Sequence, residues 1–577
     1  MREIGTQTTG IQSDRPASAG FWHWLVVALA VFVVFFQLGT RGLNEPDEGR
    51  YAEIGREMAA TGDFLTPRFN GVTHLAKPPL TYWLVGLSIR AFGANEWAAR
   101  LPSALAALGT LLAVYLLARS ACGERTGLWA VAVLLSSALF FGMARLITTD
   151  MLLTCFVAWS AWSLWRWAAS EDRGWRKILW FYVFLGLGMI TKGPVAVMLP
   201  LFAMAGLRWR NPTLRLRQMG WGKGALIFLG IALPWFAAVA GTDWERWRYF
   251  LGREVVGRVV TTVHNRTEPW WYFLPVLAVG FLPWTPWLCG ADALRRETGR
   301  GKELVRLCAG WLLLGIVMFS LSQSKLATYM MPLLPPLAII VAVILGRVGE
   351  LERDEGVNRW LCVGASVSGL LMLGAAGALG MVGATRFYAH AGFVIAVLLL
   401  AVAGGLVSVW LWRRRGLTGF AIGLTGTTLA VLLVAIMTFS SFERSLGKKA
   451  PAKYLVERIL REDPTGRVPV VFRGYLPRGL PFYLQRPVLW YHRTLNEKAI
   501  EEGGVFELDI VCSDTPNYLA GPQQLQNLLA GPQRVFCVAS RKDFATMPRE
   551  LRDLVHELDE VGEWVVLSNQ SSLQTGR

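Results

Sequence analysis

Histidine is scarce in this chain, 6 among 577 residues, and the 7 cysteines show neither CxxC nor His-rich metal spacing. The cysteines fall mostly in apolar blocks and read as small buried hydrophobes. Charge is sparse, at 17% of residues. The first apolar block, Phe21 to Thr40, has no small-residue cleavage site after it and is too long for a signal-peptide core, so it is expected to remain as an anchor. No clear repeat relates the two halves, and the notable charges avoid mid-membrane positions. Both absences argue against a secondary transporter or flippase.

What the chain does have is apolar length. Hydrophobic residues make up 53% and recur in blocks near twenty residues, the length that spans about 30 Å of hydrocarbon. The fold class expected is therefore a polytopic α-helical membrane protein. Thirteen spans are expected, starting near Phe21, Arg100, Gly127, Met151, Lys177, Pro194, Gly224, Trp271, Leu304, Met331, Arg359, His390 and Leu417. The net charge of +17 sits mostly in short loops, where lipid orientation explains it better than nucleic acid does. Basic clusters alternate from loop to loop. Arg119 and Arg125, Arg173 to Lys177, the acid-free run Arg208 to Lys223, Arg295 to Arg306, and Arg413 to Arg415 fall on one side. That places the N-terminal tail, residues 1–20, in the cytoplasm. The long loops 41–99 and 241–270 and the C-terminal region then lie outside, in the periplasm if the membrane is a bacterial inner membrane.

From about Ser441 the composition turns polar, and residues 441–577 are expected to form a soluble α/β domain after the membrane part, 21–440. Val468 to Gly474, Phe506 to Ser513, Arg534 to Ser540 and Glu563 to Asn569 read as buried strands, with Pro451 to Leu460 and Pro548 to Leu558 as helices. The region carries no phosphate-binding glycine loop and no nucleophile motif, so packing or a lid is its default role. Cys512 and Cys537 read either as a disulfide in an oxidising space or as buried thiols on neighbouring strands.

The chemistry is expected where the first span ends. In "NEPDEGRYAEIGREM" the paired acids Asp47 and Glu48 follow Pro46, and Tyr51, Ile54 and Met58 repeat on one face of a short amphipathic helix expected to lie on the membrane surface. Asp47 sits in its first turn with Arg50 three residues on, an arrangement that keeps the acid ionised and oriented. In "THLAKPPLTYWL" the following proline holds Lys77 extended at the interface, a fixed cation suited to a phosphate head group. Asp150 opens the fourth span, Lys192 ends in an outward turn, and Lys325 and Tyr329 lie between the ninth and tenth spans. The topology puts all of them on one membrane face, beside the loop "TVHNRTEPWWYF" with His264. Such convergence describes an active cavity better than a set of independent helix caps.

These motifs, in this order, resemble the GT-C glycosyltransferases related to protein O-mannosyltransferases, and most of all the bacterial lipid A aminoarabinose transferases. The resemblance implies a GT-C membrane fold and transfer of 4-amino-4-deoxy-L-arabinose from undecaprenyl phosphate to lipid A phosphates. The alternative within the class is another polyprenyl-phosphate-linked sugar, delivered to protein or glycan. It further implies that Asp47 and Asp150 are the catalytic acids and that Arg50, Lys77, His264, Lys325 and Tyr329 bind substrate; Glu48, paired with Asp47, and Lys192, at its outward turn, are expected from their positions to bind substrate with them. Relatives usually carry Glu before the lysine of "KPP", a candidate metal ligand. Ala76 stands there instead, which puts a divalent metal in doubt, although His74 is near enough in sequence to substitute.

Overall fold

The computed structural model describes residues 17–209, 214–242, 244, 268–352, 358–371, 374, 391–443, 452–474, 476–491, 517, 519 and 521–571. His264, most of the loop 241–270, Cys512 and the expected strand 506–513 lie outside them.

The membrane part is helical. Its first elements are α1 (Ala17–Phe35), α2 (Asp47–Thr61), α3 (Leu80–Phe92), α4 (Glu96–Cys122), α5 (Glu124–Leu135), α6 (Ala138–Met143), α7 (Thr149–Ala168), α8 (Trp175–Lys192), α9 (Val195–Arg208) and α10 (Trp221–Thr242). Further apolar helices follow at Gly299–Leu321, Leu334–Gly346 and Ala391–Phe442, the last kinked at Arg415 and Gly416. By length and composition alone, five helices among the described residues are long and apolar enough to cross a membrane. A bent pair, Phe273–Gly280 with Thr285–Arg296, makes a sixth. The helices α10 and Gly299–Leu321 leave Leu226 and Leu321 at 73% and 74% exposure, as lipid-facing surfaces should. Where α9 crosses the helix Gly299–Leu321, Gly206 and Gly310 meet backbone to backbone, and a Cβ on either would strike the other helix. Small residues at a crossing let apolar helices pack closely without a hydrophobic driving force between them.

Two local signals place the outer layer. Asn95 caps α4 by accepting from the Ala98 amide at 2.8 Å. Asn70 and Gly71, at φ 54° and 82°, close a two-residue hairpin between β1 (Arg68–Phe69) and β2 (Val72–Thr73), the turn that "FNGV" favours.

Near the C-terminus stands a five-stranded sheet in the order β4-β3-β5-β7-β6, formed by β3 (Val470–Arg473), β4 (Leu489–Tyr491), β5 (Phe536–Ser540), β6 (His556–Val561) and β7 (Trp564–Ser568). β3 runs parallel to β4 and β5, and β7 runs antiparallel to β5 and β6. Strand alternation gives the sheet two apolar faces. Val471, Cys537, Val565 and Leu567 pack under the helix Pro522–Ala530. Val470, Phe472, Phe536, Val538 and Val566 share one core with Leu455, Val456 and Ile459 of the helix Lys453–Glu462, and with Tyr51, Ile54 and Met58 of α2.

That shared core corrects two expectations. The helix α2 does not lie open on a membrane surface: residues 48, 49 and 51 to 58 are buried. Gly49 presses on the backbone of Gly479 on one side and Gly55 on Val85 and Gly86 of α3 on the other. Its apolar face, legible from Tyr51, Ile54 and Met58, is covered by protein instead of lipid. The second correction is at Pro548 to Leu558, where only Arg549–Arg552 is helical and His556 already belongs to β6. The pair Gly562 and Glu563, with Gly562 at φ 63°, turns β6 into β7, and pairing with β7 outweighs helical propensity in "HEL".

Candidate active site

The acids Asp47 and Glu48 are adjacent in sequence and opposite in fate. The Glu48 carboxylate is buried and takes two hydrogen bonds from Arg100, at 2.9 and 2.8 Å, plus the amides of Asn44 and Ile147 at 3.0 Å each. Arg100 also donates to the carbonyls of Leu38, Arg41 and Gly42. Burial works to raise the Glu48 pKa, but Arg100, then Arg41 and the Asn44 amide, overcome it and hold the carboxyl below the ordinary range. Glu48, expected to bind substrate, is thus engaged in tying the end of α1, α2, α4 and the turn before α7 together.

Asp47 faces outward, its side chain 61% exposed, and accepts a hydrogen bond from Arg50 at 2.7 Å. Burial opposes the charge on Arg50, yet Asp47 and then the hydroxyls of Tyr51 and Tyr82 more than offset it and lift its pKa. The Arg50 guanidinium stands 5.3 Å from the centre of the Tyr51 ring, and that ring stacks on Tyr82 at 5.3 Å. The Nε of Arg50 is buried and has no hydrogen-bond partner.

A second pair closes the cluster. Asp150, in the first turn of α7 behind the cap Thr148, forms an ion pair with Lys192 at the end of α8. The Lys192 ammonium sits 4.5 Å from the centre of the Tyr329 ring, on the 3-10 stretch Ala327–Leu333. Tyr51 joins the two halves. Burial pushes its hydroxyl up to about 12, Arg50 and the Thr149 hydroxyl pull down, and Asp47 and Asp150 push up. The structure therefore brings Asp47, Arg50, Asp150, Lys192 and Tyr329 to one end of the bundle.

Lys77 is half-buried in the segment between β2 and α3. Its neighbours Leu75 and Leu80 pack with Ile190, two residues before Lys192, and with Trp235 of α10. Lys325 precedes Tyr329 by four residues and donates to the Ser322 carbonyl at 2.7 Å, a local contact that fixes its loop. Tyr51 and Tyr82 are the members that sequence reasoning missed. The spacing of Tyr51 marked it as a core residue, and the signal that it faces charge was its place four residues after Asp47, on the same helical side.

The described residues hold no set of metal ligands. Ala76 is packed at 8% exposure beside Leu75 and Leu80, and no group of three or more His, Cys, Asp or Glu side chains with metal-binding arrangement occurs among the described residues.

Residues 76–237 match the dolichyl-phosphate-mannose-protein mannosyltransferase family. An undecaprenyl phosphate-alpha-4-amino-4-deoxy-L-arabinose arabinosyl transferase of Edwardsiella ictaluri is 33% identical over 436 residues, 70% of this chain and 76% of that one. The protein of the same name from Pseudomonas paraeruginosa is 36% identical over 327 residues, an alignment that spans 56% of this chain and 58% of the relative. The structure matches that of ArnT from Cupriavidus metallidurans bound to undecaprenyl phosphate with a TM-score of 0.80 at 25% identity, over 97% of this chain and 100% of that one. The architecture is accordingly that of a GT-C membrane protein. The chain belongs to the undecaprenyl phosphate-alpha-4-amino-4-deoxy-L-arabinose arabinosyl transferase family.

Proposed function

We propose that this chain transfers 4-amino-4-deoxy-L-arabinose from undecaprenyl phosphate to a lipid A phosphate at the outer face of a bacterial inner membrane. The observation that carries the reading is the cluster of Asp47, Arg50, Asp150, Lys192 and Tyr329 at one end of an apolar bundle. A lipid-linked sugar presents its phosphate at that boundary.

An acceptor phosphate oxygen attacks the anomeric carbon, the bond from that carbon to the donor phosphate oxygen breaks, and undecaprenyl phosphate leaves with the electron pair. No proton need move. Charge grows on the leaving phosphate, so fixed cations lower the barrier most. Lys77, with Lys192 and Lys325, is assigned to that phosphate and Arg50 to the attacking one. His264 is assigned to the donor head group. Asp150 holds Lys192 in place, and Asp47, whose outward side is open to solvent, takes the amino group of the sugar. Tyr329 supplies the ring against which Lys192 is positioned.

The same reading places thirteen spans across the membrane, the N-terminus in the cytoplasm, and residues 441–577 as a periplasmic α/β domain over the site. Contacts on either side of α2 support the last point: Glu45, just before it, accepts from the amides of Arg478 and Gly479 at 2.7 and 2.8 Å, and Asn70, in the β1–β2 turn, exchanges hydrogen bonds with Val488 at 2.8 and 2.9 Å.

The match of residues 76–237 favours one second reading, transfer of another polyprenyl-phosphate-linked sugar to protein or glycan. Purified chain in proteoliposomes, supplied with the aminoarabinose donor and lipid A, separates them. Appearance of pentosamine-modified lipid A supports the first. Turnover of a mannose-type donor alone would require the second.

A further inference from the structure

Arg145 lies on the turn between α6 and α7 and is 4% exposed. Its Nη1 donates to the Phe141 carbonyl at 2.6 Å, and the guanidinium lies 4.0 Å from the centre of the Phe141 ring. Its Nε and Nη2 are buried and make no hydrogen bond. No carboxylate among the described residues pairs with it. Glu48, which holds the amide of Ile147 two residues further along, is already engaged by Arg100, with Arg41 4.0 Å from it. Burial, with the charge of Arg41 adding, pulls the Arg145 pKa below the ordinary arginine value.

A buried cation with two idle donors is costly unless something anionic meets it. The two donors form a planar fork, and the planar fork of arginine matches the oxygens of a phosphate better than any other common anion except a carboxylate. The ion pairs of the reacting cluster, Asp47 with Arg50 and Asp150 with Lys192, leave Arg145 out.

We propose that Arg145, with Arg41 beside it, is a second phosphate site that anchors the acceptor lipid through a phosphate other than the one that receives the sugar. This rests on the reading of the acceptor as a lipid with more than one phosphate. The idle donors are then left unpaired at the expense of stability, a recurrent feature of functional positions.

The test is equilibrium binding to the full chain in nanodiscs, which needs no turnover. The probes are bisphosphorylated lipid A, the same lipid with one phosphate removed, and undecaprenyl phosphate. Wild type should prefer the bisphosphorylated lipid by about tenfold or more, and Arg145→Gln should bind both lipid A forms alike while its affinity for undecaprenyl phosphate stays within about twofold. Arg145→Lys should keep part of the preference. Arg145→Met, similar in length and uncharged, should melt no lower than wild type, because it removes an uncompensated charge. The proposal is overturned if Arg145→Gln keeps the full preference, if it loses undecaprenyl phosphate instead, or if Arg145→Met melts well below wild type, which would make the arginine structural. A wild type that binds with this preference yet transfers no sugar would overturn the functional reading and leave the site standing.

Discussion

At the residue scale, neighbouring acids give the sharpest contrast. Replacing Asp47 by Asn removes an exposed charge that no fold contact beyond Arg50 uses, so the variant should fold normally, bind undecaprenyl phosphate as before, and turn over about a hundredfold more slowly. Steady-state kinetics with a donor-binding control checks this. Replacing Glu48 by Gln leaves Arg100 buried without its counter-charge, and the loss should be stability, on the order of 3–5 kcal/mol, read from thermal unfolding in detergent. Lys192→Met combines both effects, because Asp150 and Lys192 are only 8% and 12% exposed. Folded yield should fall and transfer should be lost. The sequence alone made Asp47, Arg50, Asp150, Lys192 and Tyr329 legible, since helix starts, helix ends and loop order put them at one depth. It could not separate Asp47 from Glu48, because the arginine that claims Glu48 lies 52 positions away. Nor could periodicity tell that Tyr51 serves both a core and a charged cluster.

At the scale of elements, α2 is the piece on which the site depends. Its sequence shows one apolar face, but the structure covers it from both sides, with Gly49 against Gly479 and Gly55 against Gly86. Which layer covers a helix is a long-range fact, and short-range periodicity does not carry it. The same reason explains β6, where a helical reading of "HEL" yields to pairing with β7. The junction of α2 with the C-terminal region should respond to pH. Burial raises Glu45 to about 7, against the amides of Arg478 and Gly479 that pull it down, and burial raises Glu53 to about 8 despite Arg56. A carboxyl whose folded pKa exceeds its unfolded value stabilises fully below the unfolded value, near 4.5, and that contribution is lost as pH rises through the folded one. Melting temperature should therefore fall as pH rises from about 5 to 8, and Glu45→Gln should flatten the lower part of that decline. A melting temperature that rose over this range would contradict the assignment. Placing Ala at Gly49 should loosen the sheet from α2, visible as faster hydrogen exchange at Arg478 and Gly479.

For the whole molecule, composition made the membrane class legible at once, since 53% apolar residues in blocks near twenty leave few other folds. The sheet was legible at β3, β5 and β7, where short apolar runs alternate with turn residues, and not at β4, which is only three residues long. The central claim is that a boundary cluster serves a lipid-borne sugar on its way to lipid A. It is tested most directly by mass spectrometry of lipid A from cells that carry the wild-type gene, the Asp47→Asn gene, or none. The account predicts lipid A heavier by one pentosamine in the first strain and its near absence in the other two. Lipid A of the same mass in all three strains, grown under conditions where the protein is made and its donor is supplied, would contradict it.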